Sequence, residues 1–200
     1  MKNSFFKING LKHPNIKYGF FTRIGGCSND SYESLNCCYT NGDNYLNVKK
    51  NIQFAKNQLK LNKKKLKFTK QIHSKFIKEI NKKNFKTEIE SDGLLTNDNS
   101  IALAVLTADC APIFIFDKSS SFICCLHSGW KGTLLNIVSN SINSIKNYNS
   151  NLNDIIAIVG PCLGKKNFEV SKEFKNTFIK KNFEYRSFFE KKIKIKIYLI

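Results

Sequence analysis

The 200-residue sequence contains no unbroken apolar run of about 18 residues, so no membrane-spanning helix is expected from it. It also lacks a secretory pattern. Residues 1–20 carry scattered Lys and Asn where a leader would have a continuous apolar stretch. Acidic residues are scarce, 15 against 33 Lys and Arg, which leaves a formal net charge of +18. Such an excess can mark a nucleic-acid or anionic-membrane partner. The lysines are nonetheless spread along the whole chain, with one local run at Lys63, Lys64, Lys65 and Lys67. No finger spacing, RNP-like aromatic motif or heptad-linked basic region accompanies them. Neither nucleic acid nor membrane is therefore expected as a partner, while small anions such as phosphate remain.

Internal repeats and low-complexity linkers are missing too. Residues 1–200 read as a single domain, long enough to bury a core. The seven cysteines are odd in number, and Cys37–Cys38 and Cys124–Cys125 are sequence neighbours, which rarely bridge. With no leader, reduced thiols in a cytoplasm fit better than a disulfide framework.

What is present reads as a mixed α/β chain. Tyr18 to Ile24 reads as a strand, followed by a Gly/Ser/Asn/Asp-rich loop from Gly25 to Asn44. Asp43 or Asn44 can cap a helix from about Tyr45 to Leu61. Leu66 to Ile72 and Phe76 to Ile80 read as short strands. Ile101 to Leu106, Pro112 to Phe116, Phe122 to Leu126 and Ile155 to Val159 are apolar strands of the kind covered on both faces. Helices are expected over Gly129 to Asn147 and Glu173 to Asn182. The end alternates, with Ile193, Ile195, Ile197 and Leu199 on one face, and reads as an edge strand guarded by lysines.

Histidine is rare, with three in the chain. Two of them, His73 and His127, each follow an apolar strand and enter a polar turn, as does Cys110. Strand ends are where reactive side chains collect on a rigid scaffold. Three His/Cys donors leave a fourth position for water or substrate, the pattern of catalytic zinc. The spacing matches no zinc finger or ribbon, so two half-buried histidines and a core cysteine are an equal reading of the same residues. Asp109 can hold a ligand or shuttle a proton, or simply form a turn. Arg23, beside Gly25 and Gly26, can grip an anion that the glycine backbone approaches, or lie on the surface of a plain turn. Asn36 shares that loop as a polar contact. Asp92, in Ser91-Asp92-Gly93, reads as a turn residue. Gly160 to Lys166 imitates a P-loop but has the wrong glycine spacing and no Ser/Thr after the lysine. There is no His-x-Glu of a zinc deaminase and no Gly-x-Ser-x-Gly elbow.

Taken in order, the short motifs Gly19-Phe-Phe-Thr-Arg-Ile-Gly-Gly-Cys-Ser28, Ser34-Leu-Asn36, Asn41-Gly-Asp43, Lys70-Gln-Ile-His73, Ser91-Asp-Gly93, Leu106-Thr-Ala-Asp-Cys-Ala-Pro112, Leu126-His-Ser-Gly-Trp-Lys-Gly132 and Gly160-Pro-Cys-Leu-Gly164 closely resemble the YfiH-like family. It is also called the laccase-domain or multicopper polyphenol oxidase family. The resemblance covers about residues 17–175. It implies an α/β (α+β) sandwich, a mixed sheet flanked by helices, like the catalytic domain of cytotoxic necrotising factor toxins. It implies zinc held by His73, Cys110 and His127, with copper as the alternative metal. It implies phosphorolysis of adenosine, inosine, guanosine and methylthioadenosine, and deamination of adenosine, with Cys110, His127 and Asp109 catalytic and Arg23, Gly25, Gly26 and Asn36 toward substrate and phosphate. The family usually continues past the equivalent of Ile200, so a C-terminally shortened and poorly active relative is also expected as an outcome. The competing readings are a metal-free cysteine hydrolase or deamidase with Cys110 as nucleophile and His127 as base, a copper polyphenol oxidase, and a non-enzymatic basic binding protein.

Overall fold

The computed structural model describes residues 4–8, 11, 13–148, 151–191 and 197–199. Strands β1 (Phe5–Phe6) and β2 (Phe20–Phe21) pair antiparallel. A polar loop leads to helix α1 (Tyr45–Gln58), then to β3 (Lys65–Lys67), β4 (Ile77–Glu79), β5 (Gly93–Thr96) and β6 (Ile101–Leu103). Next come β7 (Ala111–Asp117), β8 (Ile123–Ser128), α2 (Trp130–Leu134), α3 (Ile137–Ile145) and β9 (Ile155–Val159). The described chain ends with β10 (Glu169–Val170), α4 (Lys172–Lys181), β11 (Phe189–Lys191) and β12 (Ile197–Leu199).

The central sheet has the order β4-β5-β8-β7-β9; β4 and β5 run parallel and the other neighbours antiparallel. β7 and β8 are covered on both faces, whereas β9 at the sheet edge leaves Ala157 and Val159 exposed, against the expectation of a strand covered on both sides. Ile113, Ile115, Cys124 and Leu126 pack with Ile137 and Ile145 of α3. Phe116 and Ile158 face the other way, onto Tyr18 and Phe20. The period-two alternation of β7 thus serves two cores. Each fully buried Ile, Leu or Phe among them contributes about 1.5–3 kcal/mol.

Several expected elements are shorter than the sequence reading, each for a local reason. The strand expected over Tyr18 to Ile24 is limited to β2, because the chain turns at Thr22 and Arg23, whose carbonyl accepts the amides of Ser34 and Leu35 at 3.1 and 2.8 Å. Asn44 caps α1 as expected, its Oδ1 accepting from the Leu46 and Asn47 amides at 2.9 and 3.3 Å. The helix stops at Gln58, before Lys60 takes a left-handed φ of 55°. The helix expected over Gly129 to Asn147 is two helices. Asn136 breaks it at φ 59° and ψ 50°, a conformation that asparagine tolerates better than most residues. The break lets Ile137, Ser141 and Ile145, spaced four apart, all be buried. Ile101 to Leu106 yields only β6, which pairs with β3 outside the central sheet. The sequence reading did not foresee β5, although β5 lies inside that sheet. Of the expected C-terminal edge strand, residues 192–196 lie outside the described residues. Residues 197–199 lie between β10 and β11, in the middle of a three-stranded sheet and not at its edge. Among the described residues no helix is long and apolar enough to cross a membrane.

Candidate metal centre

Sheet register builds the site. Pro112 pairs with His127 and Ala111 with Ser128, so Cys110 lies just before β7, next to Gly129. On the other side of β8, Gly93 pairs with Leu126, and one step back the Asp92 carbonyl accepts the His127 amide at 2.7 Å. Side chains opposite each other across strands share a face, so Asp92 and His127 meet. His73 arrives from the loop between β3 and β4. The Gln71 side-chain amide ties that loop to the segment leading to Cys110, donating to the Leu106 carbonyl and accepting from the Leu106 amide, both at 2.8 Å.

The donor atoms of His73, Cys110 and His127 all lie within 4.8 Å of one another. The two imidazoles stand edge-on, with centroids 4.9 Å apart and planes at 85°. His127 is buried, Cys110 half-buried and His73 exposed, so the cluster opens to solvent on the His73 side. The donor set fits a metal. Zinc bonds to N and S of about 2.0–2.3 Å need donors this close, and three protein donors leave one position open. Gly129 keeps the space clear: a Cβ there would lie 3.0 Å from the Cys110 Sγ and 2.9 Å from the His73 Cδ2.

Asp92 is completely buried behind the cluster. Its Oδ1 lies 2.8 Å from the His127 Nδ1 and accepts the His73 amide at 3.1 Å. Its Oδ2 accepts the Ser74 amide at 2.5 Å, the Ser74 hydroxyl at 2.8 Å and the Ile72 amide at 3.3 Å. Burial works to raise the Asp92 pKa, but the Ser74, His127 and Ile72 hydrogen bonds outweigh it and hold the carboxyl below its usual range. Cys110 moves the other way. Burial pushes its thiol up first, and the neighbouring Asp109, Asp92 and Cys162 add to the effect. Without a cation nearby, Cys110 is a poor thiolate.

Arg23, Gly25, Gly26 and Asn36 belong to a different network. Arg23 donates from Nε and Nη2 to the Glu33 carbonyl at 2.9 and 2.6 Å. The Gly25 and Gly26 amides donate to the Ser34 Oγ at 3.2 and 3.3 Å. Asn36 binds Asp43, Asn41 and the Cys38 amide. A cavity of about 1000 Å³ lies beside this loop. Its lining includes Arg23, Asn36, Thr107, Ala108 and Pro112, while the three metal-type donors themselves stand outside it. Asp109 is exposed, and its backbone carbonyl accepts the Leu163 amide at 2.9 Å. The carboxylate that holds a donor is Asp92, and Asp92, Gln71 and Gly129 are the site residues that reasoning from the sequence missed. The available signal was a charged residue directly before the apolar Gly93-Leu94-Leu95.

A family model described as multi-copper polyphenol oxidoreductase laccase matches residues 17–199. The chain belongs to this YfiH-like, laccase-domain family. Among its relatives, a purine nucleoside phosphorylase of Bacteroides thetaiotaomicron is 28% identical over 181 residues, 86% of this chain and 67% of its own length. Purine nucleoside phosphorylase YfiH of Escherichia coli K12 is 29% identical over 160 residues, 79% of this chain and 63% of its own length. The YfiH-like fold is likewise that of Neisseria meningitidis protein NMB0706, whose crystal structure matches with a TM-score of 0.86 at 25% identity, covering 98% of this chain and 78% of that one. The chain thus spans about two thirds of the length of these two curated relatives.

Proposed function

We propose that the chain is a zinc-dependent purine nucleoside phosphorylase, with residues 1–200 acting as one domain. Its substrates are adenosine, inosine, guanosine or methylthioadenosine together with inorganic phosphate. The observation that carries this reading is the convergence of His73, Cys110 and His127 within 4.8 Å, in a chain whose relatives bear the phosphorylase name. Two imidazoles and one thiolate suit zinc. When bound, the metal would supply Lewis-acid polarisation and a bound water of lowered pKa. The chain's own residues do the rest. Asp92 orients His127. Asp109, exposed beside Cys110, is the group assigned to proton transfer. The cavity of about 1000 Å³ has the volume of a small-molecule site. Arg23 and Asn36, on its wall, are assigned to the phosphate side. Deamination of adenosine and use of methylthioadenosine rest on the family resemblance, since the relatives' names speak only of phosphorolysis.

The family description points to copper. Yet this chain has three histidines and a single methionine, and only one cluster of three donors among the described residues. That set can load one copper and falls short of a multinuclear centre. The raised Cys110 thiol weighs against the metal-free hydrolase, which needs a ready thiolate. The odd number of cysteines and their two sequence-adjacent pairs favour a reducing, cytoplasmic setting.

The test is turnover of adenosine and inosine with and without phosphate. Free base and ribose 1-phosphate should form only with phosphate. Replacing Arg23 with Ala should raise the KM for phosphate without changing metal content. Turnover by chelated, metal-free protein that stops on alkylation of Cys110 would move the assignment to the hydrolase.

A further inference from the structure

Asp92 lies outside the donor set yet touches two of its three members. It also accepts three successive amides, those of Ile72, His73 and Ser74. These amides form a concave nest around the carboxylate, and its centre is His73, a non-glycine residue at φ 56°. A left-handed φ is disfavoured for a histidine, and a set of hydrogen bonds that converges on that turn can hold it.

We propose that Asp92 is a positioning residue that sets both histidine ligands before any metal arrives, fixing the His127 tautomer through Oδ1 and the His73 backbone through the amide nest. The proposal rests on the reading of His73, Cys110 and His127 as a metal site. An ionised carboxylate only accepts hydrogen bonds. Facing Asp92 Oδ1 at 2.8 Å, a neutral His127 must carry its proton on Nδ1. Its Nε2 is then bare, with its lone pair on the side away from Asp92. Were the proton on Nε2, the same ring in the same place could not ligate. The His73 side of the argument is independent of tautomers. A shift in the 72–74 turn swings the exposed imidazole away from Cys110 and His127, and Asp92 is the group that all three amides share.

The experiment is nitrogen NMR on 15N-histidine-labelled, metal-free protein, above the ordinary imidazole titration range, followed by zinc titration against a chromophoric chelator. Wild type should show His127 protonated on Nδ1 with Nε2 bare. In Asp92→Asn, one amide oxygen replaces two acceptors. The Ile72 and Ser74 amides and the Ser74 hydroxyl claim that oxygen and turn the NH2 group toward His127. The proton should therefore move to Nε2, and zinc affinity should fall by roughly 10–100-fold. Ser74→Ala should keep the Nδ1 proton. The proposal is overturned if metal-free wild type carries the proton on Nε2, a result that needs no folded variant. It is also overturned if Asp92→Asn lowers Tm while tautomer and zinc affinity stay as in wild type, since Asp92 would then be structural only. Wild type that binds no zinc but shows the Nδ1 proton would sink the metal reading and leave the tautomer assignment in place.

Discussion

Two polar networks in this chain use similar residues and differ in where their hydrogen bonds end. Around Asn51, which is buried, everything closes internally. Its Oδ1 accepts the Cys27 amide at 2.8 Å, and its Nδ2 donates to the Ser28 Oγ and the Asn36 carbonyl at 2.8 Å and to the Ser34 carbonyl at 3.2 Å. Asp43 takes the Ser28 hydroxyl at 2.6 Å and the Asn36 amide at 2.8 Å. Around Asp92 the network is equally dense on one side, but the two histidines it holds, His73 and His127, converge with Cys110. The first arrangement shapes a loop. The second brings three metal-type donors within 4.8 Å of one another. A polar cluster is a site where its outermost atoms converge without closing on the backbone.

Breaking the second network should cost function most. His127→Ala removes a buried donor, and zinc affinity should drop by more than the roughly 100-fold that a lost supporting partner causes. Metal analysis after gel filtration checks this. Breaking the first should cost stability instead. Asn51→Ala leaves buried amides and carbonyls unpaired and should lower unfolding free energy by about 2–3 kcal/mol. The folded fraction should still bind zinc, read by denaturant titration beside metal content. Gly129→Ala crowds the Cys110 Sγ and His73 Cδ2 and should destabilise by about 1–3 kcal/mol as overpacking, weakening zinc uptake in step. The smallest effect concerns acid. The Ser28 hydroxyl, followed by the Asn36 and Asn44 hydrogen bonds, holds Asp43 below the usual carboxylate range. Its contribution to stability is complete above the ordinary carboxylate pKa and is lost as pH falls through the lowered one. Asp43→Asn should flatten the acid limb of a stability-versus-pH curve and leave zinc uptake at neutral pH unchanged.

Much of the frame was readable from residue patterns. The apolar runs gave β7, β8 and β9 to within two residues at each end, and Asn44 marked the start of α1. His73, Cys110 and His127 stood out because histidine is rare and each follows an apolar segment. Asp92 was not readable, because Ser-Asp-Gly is ordinary turn chemistry and only the β5–β8 register puts it opposite His127. Strand β5 was hidden for a related reason: Gly93-Leu-Leu-Thr is too short to show a period. Gln71 and Gly129 act through space, against Leu106 and Cys110, and no local pattern signals that. Gly25 and Gly26 look like an anion grip in sequence, while their amides donate to the Ser34 Oγ; Arg23, bonded to the Glu33 carbonyl, stays on the cavity wall.

The most direct measurement is zinc content and phosphate-dependent nucleoside cleavage on one preparation of wild type and of Cys110→Ser. The account predicts close to one zinc per wild-type chain and base release only with phosphate, with both lost in the variant while the metal-free fold persists. Undiminished phosphorolysis by zinc-free protein, or by Cys110→Ser, would contradict it.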